Sequence, residues 1–285
     1  MSRRATYSIK GICRIYGISR QAFYKRLKKA ETKEDFEAMI VELVRILRRR
    51  YPSLGVKKIR FMLANPSYGL PVRIGKDRLF RILRDNDLLA KHPKKFKQTT
   101  DSSHDLTKHP NLIKEMEITK ANQVWVSDIT YIQLSKGSFA YLSLVTDLYS
   151  RKILGYAIHP TLEAEGPIKA LKMAIRYAKP EAGLIHHSDK GVQYCCKSYS
   201  LLLKNHGIIA SMTGAGSCYD NAVAERVNGI LKHEFGLGAS FPDIDTVKLL
   251  TEDSISIYND ERPHLSLNYQ TPAAVYAKSA GKGSA

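Results

Sequence analysis

Val124-Trp-Val-Ser-Asp-Ile-Thr-Tyr-Ile-Gln-Leu134 is an apolar, β-branched run with one carboxylate, Asp128, set in its middle. Two more such runs follow at once, Phe139–Leu148 and Lys152–Ile158, with Gly137 and Ser150-Arg151 marking the turns. Runs of this composition, separated by a few turn residues, predict hairpin-linked strands. Further along, the texture alternates: a helix near 164–178, a strand over 184–187, a helix near 197–205, a strand over 208–212, then helices near 219–235 and 243–259. Three hairpin strands followed by alternating strands and helices predict an α/β domain, a mixed five-stranded sheet flanked by helices.

Toward the N-terminus the texture is different. Residues 8–28 read as two short helices around a tight turn. Ile9, Ile12, Cys13 and Tyr16 make an apolar stripe, Gly17 ends the first helix, and Ser19 is placed to cap the second. In that second helix Ile18, Ala22, Phe23 and Leu27 face inward, while Arg20, Gln21, Tyr24, Lys25 and Lys28 form the opposite stripe. This is the layout of a helix-turn-helix whose second helix reads DNA; the competing reading is an ordinary helical hairpin with a basic outer face. Residues 31–50 predict an amphipathic helix ending in Arg48-Arg49-Arg50, a triplet that also suits the helix dipole. Helices near 56–64 and 75–86 follow, the latter carrying Lys76, Arg78, Arg81 and Arg84, a second candidate DNA-contacting surface. Apolar periodicity then lapses over 90–121, which reads as a basic linker. The expected organisation is therefore helix-turn-helix over 1–30, a second helical DNA-binding region over 31–89, the linker over 90–121, the α/β domain over 122–277, and a tail over 278–285.

Charge follows the same division. The chain has 285 residues and a net charge of +18. Residues 1–120 hold 29 Lys and Arg against 12 Asp and Glu, whereas residues 121–285 hold 16 against 15. So lopsided a balance predicts a polyanionic partner for the first part, because neutralising phosphates releases counterions. No apolar run is long enough to span a bilayer and no basic-then-apolar leader opens the chain, so no membrane role is expected. Cys13, Cys195, Cys196 and Cys218 show neither C-x-x-C pairing nor zinc-ligand spacing, which fits a reduced, cytoplasmic setting.

Three acids stand out in the second part. Asp128 interrupts a core strand, where a carboxylate is costly unless a cation or donor compensates it; a strand-edge Asp facing water is the alternative. Asp189 follows the strand Leu184-Ile-His-His-Ser188, at the carboxyl end where open α/β sheets place their sites; an ordinary Asp turn is its alternative. Glu225 lies on the helix beginning near Tyr219, with Asn228 and Lys232 along its own face and Val223, Val227, Ile230 and Leu231 on the other side. Three acids from two strands and a helix, joined to a basic DNA-binding part, match the needs of two-metal phosphoryl transfer. Mg²⁺ takes oxygen ligands and few carboxylates, and a pair of ions about 4 Å apart serves both the attacking and leaving oxygens.

At these residues the chain resembles the IS-three family of bacterial insertion-sequence transposases, whose catalytic domain is shared with retroviral integrases. The pieces are Trp125-Val-Ser-Asp128-Ile-Thr-Tyr131, His187-Ser-Asp189-Lys-Gly-Val-Gln-Tyr194 and Asp220-Asn-Ala-Val-Ala-Glu225, with Lys232 seven residues later. Thirty-five residues separate Asp189 from Glu225, and Tyr258-Asn-Asp-Glu-Arg-Pro-His264 with Thr271-Pro272 matches the family's C-terminal signature. The resemblance implies a ribonuclease-H-like fold with Asp128, Asp189 and Glu225 as catalytic metal ligands for two Mg²⁺ ions (Mn²⁺ as substitute). It implies cleavage at the element's terminal inverted repeats by hydrolysis, then joining of the freed 3′-OH to target DNA by transesterification. Lys232 and Asn228 would contact DNA. It also implies at least a dimer on DNA, and a downstream-frame product that can be made as a fusion with an upstream-frame protein. The rival readings are a ribonuclease-H-type nuclease without strand transfer and a helix-turn-helix repressor with an inactive second domain.

Overall fold

The computed structural model describes residues 13, 19–29, 33–65, 72–90, 106–214 and 221–280. Among the sequence expectations, the first helix of the helix-turn-helix apart from Cys13, the Lys28 side chain, the 91–105 stretch, the loop after Gly214 with Tyr219 and Asp220, and the last five residues lie outside these. The chain divides into two compact units, Met1–Pro93 and Lys94–Ala285.

In the first unit Ser19 caps helix α1 (Arg20–Lys29) by accepting the Ala22 N–H at 3.0 Å. Phe23 is buried, while Arg20, Gln21, Tyr24 and Lys25 are exposed. Helix α2 (Lys33–Arg50) buries Ile40, Leu43, Val44 and Leu47 and ends in its three arginines. Of these Arg48 does more than answer the helix dipole: its guanidinium donates to the Leu54 carbonyl at 2.8 Å and to the Leu88 carbonyl at 2.9 Å. Helices α3 (Val56–Ala64) and α4 (Lys76–Asp85) bury Ile59, Met62 and Leu63, and Leu79, Ile82 and Leu83. Lys76 and Arg81 point outward. Arg78 lies 3.5 Å from Glu37 with its guanidinium 4.7 Å over the Phe36 ring, and Arg81 is 3.9 Å from the same carboxylate. Both arginines therefore have an intramolecular anchor that the helical wheel did not show.

The second unit is built on strands β1 (Val124–Leu134), β2 (Phe139–Asp147), β3 (Ile153–His159), β4 (Ile185–Ser188) and β5 (Ile209–Met212). Their order is β3-β2-β1-β4-β5, antiparallel across the first three and parallel across the last three. To the five expected strands the structure adds a sixth, β6 (Ser240–Phe241), paired in parallel with Gln133 and Leu134 of β1. The helices are α5 (Glu165–Ala178), the single-turn α6 (Val192–Cys195), α7 (Lys197–Asn205), α8 (Ala222–Glu234), α9 (Ile244–Asp260) and α10 (Pro272–Ala280).

Alternation along β1 sends odd and even residues to opposite faces. Trp125 joins Ala170, Leu171, Tyr199 and Leu203 beneath α5 and α7. On the other face Val124 and Val126 pack with Ala224 of α8, and farther along the strand Ile132 meets Val227, Ile230 and Leu231. The sheet's middle is thus covered on both faces, which is why β1 is almost continuously buried. Gly155 of β3 is required by the contact with α5: a Cβ there would stand 2.1 Å from the Ala170 carbonyl oxygen.

Residues 106–121, expected as the second half of a flexible linker, are docked on this unit. Pro110 accepts the Met212 N–H at 3.2 Å, Leu112 N–H donates to Ser211 Oγ at 2.9 Å, and Ile113, Met116 and Ile118 pack against Val124, Val126 and Ala224. No helix among the described residues is long and apolar enough to cross a membrane.

Candidate active site

Asp128 is an even residue of β1 and so faces α8, on the same side as Val124 and Val126. Parallel β4 runs beside it in the register Val124–Ile185 and Val126–His187. Asp189 follows directly on the last residue of β4, so the register continued two residues past its last pair would set it opposite Asp128.

Each carboxylate is held by named donors. Asp128 Oδ1 accepts the Ile129 N–H at 2.9 Å and Oδ2 accepts the Asn228 amide at 2.8 Å. Asp189 Oδ1 accepts the Gly191 N–H at 2.9 Å. A Cβ at Gly191 would sit 3.0 Å from that same Oδ1 and 3.0 Å from Gln193 Oε1, so both side chains would have to shift slightly to admit one. Helix α8 brings the third acid: Glu225 stands exposed in its first turn, and Asn228 and Lys232 continue the stripe at i+3 and i+7. The Asn221 amide ties the start of α8 to β1 by donating to the Ser127 carbonyl at 3.1 Å.

Burial pushes the Asp128 carboxyl up to about 7, with the charge of Asp189 the next cause and Glu225 a smaller one; the Asn228 and Ile129 hydrogen bonds oppose the rise. Burial lowers the Lys232 ammonium and the negative charge of Asp128 works against that loss. Asp128 thus senses both other acids and Lys232. The Tyr194 phenol is buried beside the same acids and pushed up by burial, then by Tyr199, Asp189 and Asp128; its hydroxyl has no hydrogen-bond partner. Among the described residues, however, no three His, Cys, Asp or Glu side chains converge closely enough to hold a metal ion. Asp128 and Asp189 interact through their charges, and Glu225 is exposed.

Asn228, expected as a DNA contact, is only 5% exposed and donates its amide to Asp128. The signal for this was in the sequence: it shares the Glu225 stripe, one turn along. Other groups went unremarked. His186 is buried between Ser127 Oγ at 2.8 Å and the Tyr199 hydroxyl at 2.9 Å, and burial followed by His187 pushes it down to about 3, so it is neutral. Asp147, fully buried at the end of β2, accepts from the Asn122 N–H, the Ser150 N–H and the Ser150 hydroxyl. Those donors make it a structural carboxylate.

The sequence has known relatives. The family described as "Integrase core domain" matches residues 118–218, and a second integrase core domain description matches residues 206–272. The chain is 35% identical over 271 residues to the uncharacterized 31 kDa protein of insertion element IS600 from Shigella sonnei, covering 94% of this chain and 98% of that one. To the transposase InsF for insertion sequence IS3A from Escherichia coli K12 it is 30% identical over 270 residues, covering 92% and 91%. Among solved structures, the HTLV-2 integrase catalytic core domain in complex with magnesium is similar at a TM-score of 0.44 and 16% identity, over 55% of this chain and 97% of that one.

Proposed function

The chain belongs to the IS3 family of insertion-sequence transposases and is a DDE-type polynucleotidyl transferase; from that premise we propose that Asp128, Asp189 and Glu225 are its catalytic acids. What supports the reading is that Asp128 of β1 faces α8, which carries Glu225 and Lys232, while parallel β4 beside it ends one residue before Asp189, whose charge Asp128 feels. The donor set is all oxygen, and the negative charge of Asp189 adds to burial in raising the Asp128 carboxyl. Both suit Mg²⁺, or Mn²⁺ in its place. Two such ions, when bound, supply the charge that activates an attacking hydroxyl and stabilises the leaving oxygen.

The protein's own groups do the rest. Asn228 and the Ile129 N–H hold the Asp128 carboxylate by one oxygen each, fixing the direction of its lone pairs. The Gly191 turn does the same for Asp189. Lys232, half-buried and attracted by Asp128, offers an ammonium to a DNA phosphate near the cut. No side chain is needed as a nucleophile, because water or a DNA 3′-OH attacks in line. The chain cleaves its element's ends by hydrolysis and joins the freed 3′-OH to target DNA, acting as at least a dimer in the bacterial cytoplasm. An upstream-frame product is a candidate partner. Arg20, Gln21, Tyr24, Lys25 and Lys28, with Lys76, Arg78 and Arg81, give the N-terminal part its hold on the terminal repeats; 1–30 and 31–89 are its two binding regions.

The test uses a labelled duplex carrying the end of the chain's own element. Asp189→Asn keeps duplex binding and abolishes both nicking and strand transfer. Undiminished cleavage by Asp189→Asn overturns the assignment. Nicking without strand-transfer product in the wild type converts the reading to a plain nuclease.

A further inference from the structure

The segment Tyr258-Asn-Asp-Glu-Arg-Pro-His264 contributes no group to the site, yet its polar side chains run in order from the edge of the sheet to the helix that carries Glu225. The Tyr258 hydroxyl donates to the Arg151 carbonyl at 3.0 Å. Asn259 brackets Ile153 as a neighbouring strand would: its Oδ1 accepts the Ile153 N–H at 3.0 Å and its amide donates to the Ile153 carbonyl at 2.9 Å. These bonds fasten the end of α9 to the first residue of β3. Arg262, 1% exposed, then turns toward α8. Its Nε and Nη2 donate to the two carboxylate oxygens of Glu234 at 2.8 and 2.9 Å, and its guanidinium lies 5.7 Å from the centre of the Tyr258 ring.

Glu234 is the last residue of α8. A forked arginine–carboxylate pair fixes orientation as well as distance. At its other end α8 is held to β1 by Asn221, and about two turns along by Asn228. Those ties lie at the start and the middle of the helix. The nine steps from Glu225 to Glu234 make a lever of roughly 13 Å, and the Arg262 clasp holds its far end.

We propose that Arg262 is a positioning residue for the transposition chemistry. Through Glu234 it fixes the tilt and rotation of α8, and so the approach of Glu225 and Lys232 to Asp128 and Asp189. The proposal rests on the assignment of those acids given above.

Removing one partner of a buried pair strands the other charge, so the two are replaced together, as Glu234→Leu with Arg262→Met; apolar replacement of a whole buried pair is commonly neutral in stability. Three quantities are measured: duplex affinity, cleavage rate with Mg²⁺, and amide hydrogen exchange of the metal-free protein. The expected result is unchanged affinity, a cleavage rate about tenfold to a hundredfold lower, and faster exchange over Ala222–Glu234 with β1 and α5 still protected. Arg262→Lys, which keeps the charge and loses the fork, gives an intermediate rate. Wild-type cleavage by the double variant overturns the proposal. So does exchange that rises uniformly, and so does failure of both variants to fold, for the pair is then a requirement of the fold. Glu225→Gln separates the two ideas. If that variant cleaves normally, the acid assignment fails, while exchange over α8 still reports whether Arg262 restrains the helix.

Discussion

Asp128 should make the metal-free protein lose stability as pH rises, and Asp128→Asn should remove that loss. The folded carboxyl is raised from its ordinary 3.8 to about 7, chiefly by burial and then by Asp189. Below about pH 4 the group is protonated whether folded or unfolded and costs nothing. Between there and about pH 7 the folded chain keeps a proton that the unfolded chain has released, so the unfolding free energy falls with rising pH. Above pH 7 the full penalty is present. At about 1.4 kcal/mol per pH unit it is at most roughly 4 kcal/mol, and partial solvation of the carboxylate brings it to about 2–4 kcal/mol. Asparagine at this position offers only one acceptor to the two donors, Ile129 N–H and the Asn228 amide, at a cost of about 1 kcal/mol. The variant should therefore be slightly less stable than wild type near pH 4 and more stable by about 1–3 kcal/mol at pH 8. Urea unfolding of both proteins in chelator, from pH 4 to pH 8.5, measures the difference and cancels every other titrating group. Adding Mg²⁺ at pH 8 should raise the stability of wild type and leave the variant nearly unchanged. Parallel curves for the two proteins in chelator would refute the account of Asp128 as a strained carboxylate.

Two further outcomes follow from close packing around the acids. Gly191→Ala sets a Cβ 3.0 Å from Asp189 Oδ1, so end cleavage should fall at least tenfold while duplex affinity and melting temperature hold, measured on the same labelled duplex. Asp147→Ala leaves the Asn122 and Ser150 donors without their acceptor in a buried place and should destabilise the protein by about 2–4 kcal/mol in urea, with the wild-type dependence on Mg²⁺ kept.

Much of this architecture was legible because it depends on period and register. The odd–even alternation in Val124–Leu134 fixes which face Asp128 takes, and hence that it looks toward α8. Helix limits fell within a few residues of those observed, since Ser19 and the apolar stripes mark them locally. What the sequence hid depends on long-range contact. Ser240-Phe241 is too short to show a strand pattern, and becomes one because β1 runs on past the residues that β4 pairs and meets it there. Ile113, Met116 and Ile118 have no helical or strand spacing, and their burial needs a surface offered by β1 and α8. Asn228 could be placed on the stripe of Glu225, but an asparagine on a wheel does not reveal that it is buried; only the opposing strand supplies the carboxylate to which its amide donates. Asp147 likewise ends an apolar run with nothing in its neighbours to say that three donors close around it.

The two outer strands of the sheet deserve a last consequence. An unpaired strand margin invites a second sheet to continue it. Here Asn259 occupies the start of the β3 margin with its own amide, and Pro110 occupies the β5 margin at Met212. Both are non-strand groups that offer no new margin of their own. A second sheet approaching either outer strand would have to displace a side chain on one side or a loop on the other before it could pair there.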